Sequence, residues 1–424
     1  MFIESGFIAD GKDCSMKKLR ICVVEMVNAG GLLHFDYQLC TAFAAAGADV
    51  TFVTGTEYEL SSLPHNFKVK TILRLWKGFD SRPLGVDAGP LQRMVARIFR
   101  AVRRAQRGAL VLFAWLRLIL HLLRAKPDIV QFSRLEYFFD FLFIWFLKRL
   151  GLVVTQVCHE FERRDAVGGV SSLEHRLDLA TYRSFSRIFF LSEDGRSRFR
   201  AAFPLKGDEV TSVIPHGNSD WLLGIQSPPQ EVKLRGRYRL PNGVPVVLFF
   251  GLLSPSKGVE DLIEAFALVV KTTDARLVVA GYPTKFINVA SIKAQVNRLG
   301  ISDKVVLDLR YIPLNELGAL MELAAVVVYP YHSSTQSGSL QTAYTFGKPV
   351  IATRVGGLPE AVDDGKSGFL VPANSPGELA QKIAILVGDR ALTDAMGKYA
   401  RTLSLTRFNW DSIARKMLSV YETI

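Results

Sequence analysis

Two spacings of apolar residues alternate along this chain. Short unbroken runs of Val, Ile, Leu and Phe are followed by longer stretches whose apolar residues recur three or four apart. The short runs predict buried parallel strands, and the longer stretches predict helices packed on them. Residues 20–27 predict the first strand. Asn28-Ala29-Gly30-Gly31 turns, and Leu32, Phe35, Leu39 and Phe43 mark one face of a helix. Residues 48–54 predict the second strand, and 128–132, 153–158, 187–191 and 210–214 continue the series. After Pro228-Pro229 and Pro241-Asn242-Gly243 the same alternation starts again. Strands are predicted at 246–250, 275–280, 304–309, 325–329, 350–353 and 369–371, with helices at 260–271, 314–323, 376–387 and 410–421. Strand, glycine turn, helix, strand is the opening of a doubly wound sheet. The expected fold is therefore α/β, with two Rossmann-like domains facing a central cleft. The expected divisions are a tail at 1–16, a first domain at 17–220, a linker at 221–242 and a second domain at 243–407.

One stretch departs from this alternation. Between 91 and 126 there is no Asp or Glu. Leu91, Met94, Val95, Ile98, Phe99 and Val102 form one helical face, and Arg93, Arg97, Arg100, Arg104 and Arg107 form another. Residues 110–123 are then apolar apart from Arg117 and His121, and 137–147 add a third apolar block rich in Phe. The apolar runs read as too short for a clean membrane span, which needs about 20 residues. Core helices with solvated arginines are the plain reading. So one-sided a charge run favours the other, a basic amphipathic surface resting on anionic lipid.

Composition sharpens the choice of partner. The chain has 424 residues, 49% hydrophobic, and a formal net charge of +12, which points to an anionic partner. Nucleic acid is not expected, because no recognisable module is present and the aromatics sit in apolar blocks. Cys14, Cys22, Cys40 and Cys158 have no metal or redox spacing, which fits a cytosolic compartment. Residues 1–15 carry Glu4, Asp10 and Asp13 and do not read as a signal peptide.

Candidate chemistry lies at the strand ends. The run from Tyr329 into Gly347 passes from a strand through a loop of hydroxyls into a helix starting near Ser337. Gln336, Ser337, Gly338 and Ser339 place free N–H groups and a dipole end there, with no carboxylate in the loop. The expected ligand is a phosphate. Lys257, on a glycine-flanked loop after Gly251, supplies a cation. Gly30 and Gly31 would let backbone approach the ligand. His159, at a strand end, would neutralise a leaving phosphate or touch a sugar; a histidine satisfied by a carbonyl is the equal alternative. No metal-binding acidic pair or His/Cys spacing is present, so no metal or cofactor is expected.

The segment from Phe249 to Phe266 resembles the phosphate loop of glycosyltransferase family 4. Val213-Ile-Pro-His-Gly217, Val279-Ala-Gly281, Tyr311-Ile-Pro313, Gly356-Gly-Leu-Pro-Glu360 and Asp364-Gly-Lys-Ser-Gly-Phe-Leu-Val371 follow in that family's order. The resemblance implies a GT-B fold and retaining, metal-independent transfer from a nucleotide-sugar donor. It implies that the last helix, in 408–424, crosses back to the first domain. Lys257 would contact the donor diphosphate, and residues 337–339 would offer N–H groups to it. It also implies a lipid-linked glycan acceptor in surface polysaccharide synthesis, and a peripheral place on the cytoplasmic face of the membrane. The usual Glu-x7-Glu motif is missing, as in a variant branch: Thr342 stands where the second Glu would bind ribose. Leu252 stands where an arginine usually follows the strand glycine, and Ser254 where the variant branch carries one; Ser254 and Thr342 are kept as candidate donor contacts. These losses keep two alternatives open: an inactive GT-B partner of another transferase, and a sugar-nucleotide epimerase.

Overall fold

The computed structural model describes residues 18–73, 90–135, 139–162, 172–205, 207, 210–225 and 230–424; at 90–98, 100, 101, 104 and 230–232 it describes backbone alone. Two parallel sheets form. The first has seven strands: β1 (Arg20–Val24), β2 (Asp49–Gly55), β3 (Lys68–Leu73), β4 (Ile129–Phe132), β5 (Val153–Cys158), β6 (Arg187–Phe190) and β7 (Thr211–Val213). Their order is β3-β2-β1-β4-β5-β6-β7. The second has β8 (Val246–Phe250), β9 (Arg276–Ala280), β10 (Val305–Asp308), β11 (Val326–Tyr329), β12 (Val350–Thr353) and β13 (Gly368–Val371), ordered β10-β9-β8-β11-β12-β13. In each sheet the order reverses beside its first strand, so each has a switch point where ligands bind beyond the strand ends. The expected pair of doubly wound sheets is what forms.

Helices cover both faces of each sheet. The first domain contributes α1 (Gly31–Ala45), α2 (Pro90–Ala125), α3 (Asp140–Arg149), α4 (Ser172–Tyr182) and α5 (Glu193–Ala202). Next come α6 (Gln230–Arg237), α7 (Val259–Val269), α8 (Val289–Arg298), α9 (Leu314–Leu323), α10 (Gly338–Thr345) and the short α11 (Leu358–Ala361). The chain ends in α12 (Pro376–Gly388), α13 (Arg390–Thr406) and α14 (Trp410–Tyr421). The last helix packs on α1, with Trp410, Ile413, Met417 and Tyr421 in the first domain's core. Tyr421 also donates from its hydroxyl to Gln131 Oε1 (2.6 Å) in β4. Beside it lies Asp36, fully buried; burial, then the neighbouring Glu25 carboxyl, hold its pKa well above the usual carboxylate range.

Two expectations need correction. Residues 221–242 are not a bare linker. Within them α6 forms, and Leu234, Tyr238 and Leu240 are buried in the second domain's core. The apolar stretch in the first domain is not too short for a span either. The single helix α2 runs 36 residues, and its part Ala105–Ala125 is apolar and long enough to cross a membrane by length and composition. One face of that part is nevertheless core. Val111, Ala114, Trp115, Leu118 and Leu122 pack on the sheet with Val130, Phe132 and Ile144. Trp115 stacks on Phe143 (4.7 Å between centroids, 9° between planes) and donates from Nε1 to Asp140 Oδ1 (3.0 Å).

Candidate functional site

The second domain's part of the site begins where β11 ends. Tyr329 leads through Pro330 to Tyr331, whose ring is buried. The loop then runs to Ser337, the N-cap of α10. Ser337 has extended backbone, and its Oγ accepts from Leu340 N at 3.4 Å. Tyr331 gathers the rest. Its hydroxyl lies 3.3 Å from Ser337 Oγ and 3.4 Å from Ser339 Oγ, and the two serine oxygens are 3.0 Å apart. Lys257 Nζ sits over the Tyr331 ring, 3.9 Å from its centroid, held by cation–π attraction. Gly251 faces the same group: a Cβ there would lie 3.8 Å from Ser339 Oγ and 4.0 Å from the Tyr331 hydroxyl. An ammonium, three hydroxyls and a helix start therefore meet beyond the ends of β8 and β11. Among the described residues no carboxylate pairs with Lys257.

The Lys257 loop is built to stay there. Pro255–Lys257 forms one 3-10 turn, and Gly258 ends it with φ of 63°. A Cβ on Gly258 would fall 2.0 Å from Pro330 O, so only glycine lets the two loops touch. His332 N also donates to Ser256 O (2.9 Å), and His332 Nε2 lies 3.0 Å from Asp261 Oδ2.

The first domain closes the other side. Phe35 meets the rings of His159 (4.6 Å), His216 (5.1 Å) and Trp410 (5.0 Å) edge-on. His216 in turn reaches α10: its Nε2 would lie 3.0 Å from a Cβ on Gly338. Burial lowers the pKa of His159 to about 3, with His216 and Arg134 adding to the effect, and lowers that of His216 to about 4. Both rings are neutral at pH 7. His159 therefore offers an N–H or a lone pair, not the positive charge expected for neutralising a phosphate. Its Nε2 is sealed from solvent and finds no partner among the described residues.

At the start of α1, Gly30 adopts φ of 91°. Its N–H donates to Glu59 Oε2 (3.0 Å), which His34 Nε2 also approaches at 2.8 Å. Tyr311, from the second domain, donates its hydroxyl to the other oxygen of Glu59. Burial alone would raise the Glu59 pKa, but His34, Tyr311 and the Gly30 N–H outweigh it and hold the group below its ordinary value. The Gly30 amide, expected to face a donor, is thus occupied by a carboxylate. Gly31 is exposed and has open space around it.

Two other candidate contacts are buried and hydrogen-bonded within the protein. Ser254 is buried, with its Oγ 3.0 Å from Ser256 Oγ, and its carbonyl accepts from Lys257 N. It shapes the lysine turn rather than facing a ligand. Thr342 is buried on the inner side of α10, its Oγ1 3.2 Å from Ser219 Oγ and donating to Gly338 O. Its hydroxyl is thus engaged between α10 and the Ser219 segment. Gln336 is half-buried, and its Oε1 has no partner among the described residues. Arg107 is half-buried on α2; the side chains of Arg93, Arg97, Arg100 and Arg104 lie outside the described residues. The sequence gives no site role to Tyr331 or Glu59, and places Phe35 only on a helix face and Tyr311 only in a family segment. The Tyr-Pro-Tyr run at 329–331 was the one signal available for the first of these.

Comparison with known proteins bears on the family and the fold. Residues 29–218 match the family described as Glycosyltransferase Family 4, and residues 231–403 match Glycosyl transferases group 1. Among curated proteins, the D-inositol 3-phosphate glycosyltransferase of Segniliparus rotundus is 32% identical over 227 residues, 53% of this chain and 49% of that protein. The protein of the same name from Corynebacterium kroppenstedtii is 32% identical over 251 residues, 56% of this chain and 53% of that protein. The aligned part thus spans about half the length of these relatives. Among solved structures, sucrose-phosphate synthase from Thermosynechococcus elongatus superposes with a TM-score of 0.71 at 19% identity, covering 96% of this chain and 99% of its own. Anabaena HepE, solved with UDP and glucose, gives 0.67 at 20% identity, covering 96% and 100%.

Proposed function

This chain belongs to the family 4-like GT-B glycosyltransferases, and from that premise we propose that it moves a sugar from a nucleotide-sugar donor to a lipid-linked glycan acceptor in surface polysaccharide synthesis. The observation that carries the proposal is the meeting of Lys257, Tyr331, Ser337 and Ser339 at the start of α10. A diphosphate fits this group by charge, by hydroxyl donors and by dipole. In the retaining reaction the bond from the anomeric carbon to the phosphate oxygen breaks. The acceptor oxygen bonds to that carbon on the same face, and its proton passes to the leaving phosphate. Lys257 and the N–H groups of α10 hold the charge that builds there, with no metal required. His159 is suited to a neutral hydrogen bond with a sugar hydroxyl. HepE, of the same fold, was solved with UDP-glucose, which makes UDP-sugars the first to try. Titrating the purified chain with a panel of UDP-, GDP- and ADP-sugars should give binding and turnover for at least one. A panel with neither sinks the proposal.

The lipid part rests on the outer faces of α2 and α3. Phe113 is 61% exposed and Leu116 53% on α2, and Trp145 is 49% exposed on α3, large apolar side chains left facing outward. Basic groups flank them: Arg103, Arg107, Arg117, Arg124 and Lys148, with Arg149 over the Trp145 ring at 4.9 Å. Apolar area ringed by cations suits anionic headgroups. Trp115, Leu118 and Leu122 stay in the core, which favours a helix lying on the membrane over one crossing it, and so a peripheral place on the cytoplasmic face. The wild type should float with vesicles containing phosphatidylglycerol and not with phosphatidylcholine alone. Phe113→Asp with Leu116→Asp, or Arg103→Glu with Arg107→Glu, should remove most of that binding. Flotation unaffected by both pairs would refute the docking.

A further inference from the structure

The loop that leads into α10 is held from the first domain. Thr335 donates from Oγ1 to His159 O (2.6 Å), at the end of β5. Ser192, at the end of β6, donates from Oγ to Thr335 O (2.9 Å). Arg198 on α5 donates from Nη2 to Ser334 O (3.2 Å). In the reverse direction, Glu360 of the second domain accepts from Glu193 N (2.8 Å) and Asp194 N (2.9 Å), at the start of α5. Ser192 is the N-cap of that helix, so Glu360 takes two further N–H groups that would otherwise face solvent.

Two glycines make the approach possible. A Cβ on Gly356 would fall 1.6 Å from Ser334 O. A Cβ on Gly357 would fall 2.3 Å from Thr335 O and 2.6 Å from Ser192 Cβ. Gly357 N itself donates to Thr335 O (3.2 Å). The segment Gly356-Gly357-Leu358-Pro359-Glu360 therefore acts at the domain boundary: its glycines admit the loop and its carboxylate grips α5. Ser334 and Thr335 are buried there, and only Gln336 separates them from Ser337, which caps the anion site.

We propose that Ser192, Arg198, Gly357 and Glu360 form a clasp across the domain boundary that positions loop 334–336, and through it the donor-phosphate site at the start of α10. None of the four touches the donor; they are positioning residues. The proposal rests on the donor site assigned above. Physically, the anion-binding N–H groups follow directly on backbone that the other domain holds. Domain separation then moves or loosens the site, and an occupied site favours the closed pair. Coupling of this kind is reciprocal.

The test uses the full chain in two parts. The first is hydrogen exchange without ligand, comparing wild type with Glu360→Gln, Glu360→Ala and Gly357→Ala. The first two weaken the grip, and the third wedges it apart without removing a polar group. Amides in 331–340 should exchange faster in all three, while β8 and β9 keep their protection. The second part is titration with inorganic pyrophosphate, whose affinity should fall by roughly 5- to 100-fold in Glu360→Ala and Gly357→Ala, a usual range for coupling between sites. Unchanged exchange in 331–340, or loosening that spreads to β8 and β9 in every variant, overturns the clasp. So does faster exchange with undiminished pyrophosphate affinity. A wild type that ignores pyrophosphate defeats the donor-site reading itself, whereas variants that bind it as well as a competent wild type defeat the clasp alone.

Discussion

Lys257→Ala is expected to lower kcat/KM for the donor by about 10²- to 10³-fold, or ~2.7–4 kcal/mol, the usual loss when one preorganised charge-stabilising group is removed. Lys257 is held over the Tyr331 ring, beside the hydroxyls of Ser337 and Ser339. In the proposed reaction its charge would meet the phosphate where the leaving bond breaks, and negative charge would grow there in the transition state. The loss should therefore fall on kcat as well as on KM. The loop itself should survive, because Gly258, His332 and Ser256 fix it independently of the lysine side chain. Steady-state kinetics with the donor found by the panel, together with an unchanged melting curve, would check this. A variant within about threefold of wild type would place the diphosphate elsewhere.

What could be read from the residues was local. The strand 325–329, the hydroxyl loop and the helix start at Ser337 are all written within one short segment, by an apolar run, a capping serine and a closing glycine. The structure places Val326–Tyr329 in a strand and starts α10 at Gly338, after the Ser337 cap. The double sheet was legible for the same reason, because buried parallel strands carry their own signature. β3 escaped, since Lys68 and Lys70 interrupt its apolar residues and the strand lies at a sheet edge, largely exposed. Contacts between distant segments were not legible. Tyr331 becomes part of the site only because β8 and β11 are neighbours, which brings Lys257 over its ring. Glu59 reaches the Gly30 amide from beyond β2, and nothing near Gly30 announces it. Ser254 read as a loop residue free to meet a ligand, yet Leu253 pairs with the Tyr282–Thr284 turn and draws its neighbour inward. Burial of that kind belongs to tertiary structure, which periodicity does not encode.

Trp115→Ala should cost about 3–5 kcal/mol, the usual range for deleting a fully buried tryptophan. Whole domains are stable by only about 5–15 kcal/mol, so this one change should bring the first domain close to unfolding. Three losses combine: the stack on Phe143, the packing on Phe132, and the hydrogen bond to buried Asp140. Trp115→Phe keeps most of the apolar volume and removes the bond alone, so it should cost clearly less. Urea unfolding followed by circular dichroism would show the first domain's transition moving to lower denaturant, with that of the second domain in place. The result also decides what α2 is. Its segment Ala105–Ala125 satisfies the length and composition of a membrane-crossing helix, while its inner face fills the core beneath the sheet. A helix cannot use the Trp115 face both ways. If Trp115→Ala has little effect on the isolated chain in water, the inner face is not what holds that domain together, and a helix free to leave the sheet for the bilayer becomes the better account. If the cost is large, α2 is anchored by Trp115, and only its outer face, with Phe113 and Leu116, remains for lipid.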